Sequence, residues 1–102
     1  MALLLLSACS WIDQRTEAEK GFDMLRDGDT AHAITHLQAA NAAKPDDPYI
    51  QLDLAAAYER LGQFDKARPI YEKVLQSGKD ARDADGKSLA DLAAANLAKL
   101  PK

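Results

Sequence analysis

Between residues 14 and 27 the apolar positions are Ala18, Gly21, Phe22, Met24 and Leu25, set among charged residues. That spacing marks one inward face of a helix. Gly28 interrupts the pattern. It resumes at Ala33, Ile34, Leu37, Ala40 and Ala43, which predicts a second helix capped by Asp29 or Thr30. Pro45, Asp46, Asp47 and Pro48 break this helix and start another, with Pro48 in the first turn and Asp47 as N-cap. The third helix, 48–61, carries Ile50, Leu52, Leu54, Ala55, Ala57, Tyr58 and Leu61, and Gly62 stops it. A fourth runs from Phe64 or Asp65 to Gln76. Pro69 is expected near its first turn, where a missing N–H costs little. Residues 79–87 are polar and rich in aspartate. Residues 88–99 form a last amphipathic pattern through Leu89, Leu92, Ala93, Asn96 and Leu97, followed by Leu100.

Two of these helix pairs repeat each other. Met24, Gly28, Thr30, Ala33, Leu37 and Ala40 recur 34 residues later as Tyr58, Gly62, Phe64, Ala67, Tyr71 and Val74. A fixed period of that length, with glycine at the turn and alanine at the next close contact, signals a repeated helix-turn-helix unit. Neither pair can bury its apolar face alone, so stacking is required. The fold class is therefore all-α, with five helices.

Composition narrows the role. The chain has 102 residues, enough for one small domain, and 47% of them are hydrophobic but only 6% aromatic. Alanine and leucine dominate, which favours helix. The net charge of −3 is made of interspersed signs. A clustered basic face, the footprint of a nucleic-acid binder, is missing. Cys9 is the one cysteine, so no intrachain disulfide forms and a structural zinc site lacks ligands. No nucleophile motif, phosphate loop or Ser/His/Asp arrangement is present, and neither an enzyme nor a cofactor is expected.

Over residues 14–79 the chain resembles the tetratricopeptide repeat (TPR) family. The first copy has Gly21 at the small contact, Met24 where tyrosine is usual, Gly28, Ala33, Leu37, Ala40 and Pro45. The second has Leu54, Ala55, Tyr58, Gly62, Phe64, Ala67 and Tyr71, with Val74 for the usual alanine and Lys79 for the closing proline. Leu89, Leu92 and Ala93 look like the first helix of a third repeat after about four extra loop residues, with Asn96 in the tyrosine position. The resemblance implies TPR-type hairpins stacked as a short right-handed solenoid of about two and a half repeats. It also implies a concave groove, lined by the first helix of each pair, that binds a peptide or protein. Carried onto this chain, that surface presents Arg15, Ala18, Phe22, Leu25 and Arg26 from the first repeat. Tyr49, Leu52, Ala56, Glu59 and Arg60 come from the second. Tyr, Phe and Arg are favoured anchors of protein interfaces. Helical periodicity leaves Phe22, Leu25 and Leu52 open between groove and core. The Lys/Asn set with which some TPRs clamp a terminal carboxylate is not met, since Ala18, Phe22 and Asp53 occupy three of its positions.

The first nine residues resemble the end of a bacterial lipoprotein signal peptide. Leu6-Ser7-Ala8-Cys9 matches its lipobox after the apolar run 2–6, although no Lys or Arg precedes that run. The resemblance implies cleavage before Cys9 and acylation there, which anchors the protein without a spanning helix. Ser10, in place of an aspartate, looks like an outer-membrane destination. The expected organisation is a signal segment at 1–8, a lipidated cysteine and tether at 9–13, and the TPR domain at 14–102. Trp11 and Ile12 suit either the bilayer interface or packing on the first helix.

Together these readings point to a non-catalytic adaptor facing the periplasm, tethered to the cell envelope and bound to another envelope protein. Pilus or secretin assembly and cell-wall machinery are the candidate settings. Two alternatives are a homodimer through the helix at 88–100 and a metal site at His32 and His36. The histidines stand one helical turn apart, but no third ligand is placed, which favours a solvated pair. Asp83-Ala84-Asp85-Gly86 lacks the flanking carboxylates of a calcium loop and reads as a solvated loop and cap.

Overall fold

A computed structural model describes residues 15–102. The expected signal segment, Cys9, Trp11 and Ile12 lie outside the described residues. Five helices follow in order: α1 (Glu17–Arg26), α2 (Thr30–Ala43), α3 (Pro48–Arg60), α4 (Phe64–Ser77) and α5 (Leu89–Lys99). Each packs against the next, and α1 and α5 also reach α3. The architecture is two antiparallel hairpins and a fifth helix, stacked in line.

The helix ends show why the period is 34. After α1 the N–H of Gly28 donates to the Leu25 carbonyl at 3.2 Å, and Asp29 donates to Met24 at 2.8 Å. After α3, Gly62 donates to Glu59 at 3.0 Å, and Gln63 to Tyr58 at 2.9 Å. These are two copies of one Schellman stop, which needs a left-handed residue at its centre. Gly28 (φ 89°) and Gly62 (φ 74°) supply it.

Helix starts are less uniform. A capping box opens α1: the Thr16 hydroxyl accepts from the Glu19 amide at 3.2 Å, while the Thr16 amide donates to the Glu19 carboxylate at 2.6 Å. Asp47 caps α3 as expected, and Pro48 takes its first position. Asp29 precedes α2, but its carboxylate bonds His32 Nδ1 at 2.8 Å instead of capping. Pro69 is also displaced from expectation. It is the sixth residue of α4, past the first turn, so the Asp65 carbonyl loses its helical donor. Pro69 is exposed, which leaves that carbonyl side open to water.

The core runs along the stack. Leu37, Val74, Tyr71 and Leu89 are its largest fully buried side chains. Each stabilises the fold by roughly 1.5–3 kcal/mol through apolar burial. Small residues set the helix spacing. Ala33, Ala55, Ala67 and Ala93 are fully buried, and a Cβ on Gly21 would fall 2.6 Å from Leu37 Cγ. Polar ties fasten helices within and between the hairpins. Buried Gln51 donates to the Pro45 carbonyl at 2.6 Å and accepts from Ser77 Oγ at 2.6 Å. The Gln38 amide donates to Tyr58 Oη at 2.6 Å. Tyr71 donates to the Glu59 carboxylate at 2.8 Å and accepts from Asn96 at 3.4 Å. Asn96, which stands where the repeat expects tyrosine, thus ties α5 to α4. Burial, reinforced by the Glu59 bond, holds the Tyr71 phenol protonated far above its usual range.

Candidate functional site

Helices α1 and α3 are the first members of their hairpins and lie side by side. A groove of about 430 Å³ runs between them, lined by Arg15, Ala18, Glu19, Phe22 and Asp23 on one side. Lys44, Asp47, Tyr49, Ile50 and Asp53 line the other. Phe22 is 52% and Tyr49 50% exposed, and both rings line the groove. The Tyr49 hydroxyl donates to the Arg82 carbonyl at 2.8 Å.

The expected groove residues divide into groups. Arg15, Phe22 and Tyr49 come together in the groove. Leu25 does not: it is 6% exposed and belongs to the core. It follows Gly21 by four residues, so it shares the inward face of α1. Leu52 is partly buried against the same core. Arg60 donates to the Leu25 carbonyl at 2.9 Å and fastens α3 to the end of α1. Glu59 is occupied by Tyr71. Arg26 pairs with Asp23 at 3.1 Å on the exposed side of α1. Glu59, Arg60, Arg26 and Leu52 stand outside the groove lining.

Apart from Arg15, the charged residues of the lining are not marked as groove residues by the pattern. Glu19, Asp23, Lys44 and Asp47 look like ordinary surface charges along the chain. Asp53 carried a signal, because it follows Tyr49 by four residues and therefore shares its face. Burial pushes its carboxyl up from 3.8 to about 6; the Arg60 charge opposes the rise and Asp47 adds to it.

The other candidates sort by their partners. His32 bonds Asp29, and His36 Nδ1 bonds the Glu17 carboxylate at 2.5 Å, a link between α2 and α1. Among the described residues no group of three or more His, Cys, Asp or Glu is placed to hold a metal. In the connection before α5, Asp83 Oδ1 accepts from the amides of Asp85 and Lys87 at 2.9 and 2.8 Å. Its carboxylate organises its own loop. On α5, Leu92 and Leu97 pack against the core. What that helix leaves exposed is Asp91, Ala94, Ala95, Ala98 and Lys99. No helix among the described residues is long and apolar enough to cross a membrane.

Comparison with known proteins agrees with the repeat geometry. The sequence profile of the tetratricopeptide repeat matches residues 24–95. A protein named cellulose synthase operon protein C, from Xanthomonas axonopodis pv. citri (strain 306), is 37% identical over 71 residues. That match covers 70% of this chain and 4% of the relative, so the chain spans a small part of that protein's length. No solved structure matches the chain significantly.

Proposed function

The chain belongs to the tetratricopeptide repeat family, a protein-protein interaction module, and on that premise we propose that it is a non-catalytic adaptor of the bacterial cell envelope. In this reading a lipid on Cys9 holds it at the membrane, with the outer membrane as the destination. The repeats face the periplasm and hold a segment of another envelope protein in the groove between α1 and α3. Assembly of a pilus or secretin, or of cell-wall machinery, is the class of task such an adaptor serves.

The observation that carries the adaptor reading is the pairing of two half-exposed aromatic rings, Phe22 and Tyr49, across one groove. Half-exposed rings offer apolar area that a partner can cover, and aromatic residues are favoured anchors of protein interfaces. The anchor rests on the match of residues 6–9 to a lipobox.

In-cell crosslinking tests the groove. A photoreactive residue at position 22 should yield an adduct with another envelope protein, and one at exposed Glu72 on α4 should not. Loss of that adduct on Tyr49→Ala is the expected control. An adduct pattern indifferent to position would overturn the assignment. For the anchor, Cys9→Ala should move the protein from the membrane fraction to the soluble fraction and abolish labelling by palmitate. A variant that stays with the membrane would remove Cys9 from the account.

A further inference from the structure

Four carboxylates and two cations line the α1–α3 groove. Three of the carboxylates are occupied. Glu19 accepts from the amide and hydroxyl of Thr16, at 2.6 and 2.9 Å. Asp23 pairs with Arg15 at 2.6 Å and with Arg26 at 3.1 Å. Asp47 accepts from the amides of Tyr49 and Ile50, at 2.9 and 3.4 Å. Asp53 is different: no hydrogen bond or ion pair among the described residues reaches its carboxylate. Arg60 acts on it from a distance, while the Arg60 guanidinium itself donates to the Leu25 carbonyl.

An unpaired carboxylate in a partly desolvated groove is an incomplete arrangement, and a cation completes it. The neighbouring rings favour the same visitor. The faces of Phe and Tyr attract a cation, and their area covers the methylenes of a long basic side chain. One ligand group meets both demands.

We propose that the groove takes its partner protein through a Lys or Arg side chain, with the charge on Asp53 and the stem between Phe22 and Tyr49. This deepens the adaptor reading and rests on it. It names the chemistry of the bound segment: basic, with one side chain that reaches the groove floor.

The rise of the Asp53 pKa to about 6 adds a second signature. Proton and cation compete for the same carboxylate, so binding weakens as pH falls through that value. The charged groups that surround Asp53 are Arg15, Glu19 and Asp23 on α1, Lys44 and Asp47 ahead of α3, and Arg60 on α3. Glu19 is held below the ordinary glutamate range by its Thr16 bonds, so its titration falls lower.

The test is selection of a displayed library of random linear peptides on residues 15–102 within the full chain, followed by affinity measurements on the selected peptides. The expected consensus has Lys or Arg at one fixed position. Asp53→Asn should weaken such a peptide about ten-fold or more, and replacing its basic residue with methionine should cost the same. Combining both changes should add little further loss. Asp53→Lys should reverse the preference toward acidic peptides. Peptides that depend on Phe22 and Tyr49 but carry no fixed basic residue, or that ignore Asp53→Asn, overturn this inference and leave the groove reading standing. Peptides that bind irrespective of Phe22→Ala and Tyr49→Ala overturn both.

Discussion

Gly28 and Gly62 have no atom within 4 Å of where a Cβ would stand, so what holds glycine there is backbone conformation alone. Gly62→Ala should therefore lower stability by about 1 kcal/mol, through a strained left-handed turn, with helix content retained. Urea denaturation followed by circular dichroism measures it. Gly21 is the opposite case, since its added methyl would meet Leu37. Asp53 makes a further residue-scale prediction. Its pKa rises from 3.8 to about 6 on folding, so the unfolded chain binds fewer protons in that interval. Stability then falls as pH rises from about 4 to about 6, and the penalty is complete at neutral pH. Asp53→Asn should flatten that slope and stabilise the protein at neutral pH by on the order of 1–2 kcal/mol, after allowance for solvent screening. Thermal melts across the interval decide it. Equal slopes in the two proteins would contradict the burial of this carboxyl. Glu17 and Glu19 shift downward, Glu17 mainly through the His36 bond and Glu19 through Thr16. Their stabilising contributions are lost only as pH falls below the ordinary glutamate range, away from the Asp53 window.

At the scale of an element, capping separates two aspartates that look alike in the sequence. Asp47 bonds the amides of α3, whereas Asp29 turns to His32. Asp47→Ala should cost about 1 kcal/mol and Asp29→Ala markedly less, measured by the same denaturation. The contrast shows what was legible in the chain. Glycine stops, the 34-residue period and the buried Ala33, Ala40, Ala55 and Ala67 follow from local geometry and appear where the pattern puts them, whereas Ala43, expected on the inward face of α2, is exposed at its last turn. Asp29 was equally plausible as a cap, but a histidine one turn on competes for its carboxylate. Leu25 was indistinguishable from a groove residue, because α1 has apolar side chains on both its inner face and its groove face. The start of α4 falls at Phe64 as the pattern puts it, and Pro69 stands past the first turn because proline is tolerated there on an exposed face, where the carbonyl it leaves without a donor meets water. The charged lining of the groove, Arg15 apart, was hidden for another reason: it is assembled from α1, the α2–α3 connection and α3, and no local spacing brings those together.

For the whole molecule, the stack makes stability a sum over neighbours. Helices α2, α3 and α4 each have neighbours on both sides, whereas α1 and α5 each have one flanking neighbour in line. Hydrogen exchange of this chain should therefore be slowest in the three inner helices, α2 to α4, and faster in α1 and α5. Uniform exchange across the five helices would mean that the stack unfolds as one unit. The connection between α4 and α5 belongs to this scale too. It is longer than the link the repeat uses elsewhere, it is braced by Asp83, and the Arg82 carbonyl receives the Tyr49 hydroxyl. One wall of the groove is thus steadied by backbone, not by any particular side chain. The loop gives the ring, which α3 carries, a second point of attachment. Gaining or losing a single codon there should loosen the Arg82 hold on the ring while the glycine stops and buried alanines of the two hairpins keep their places.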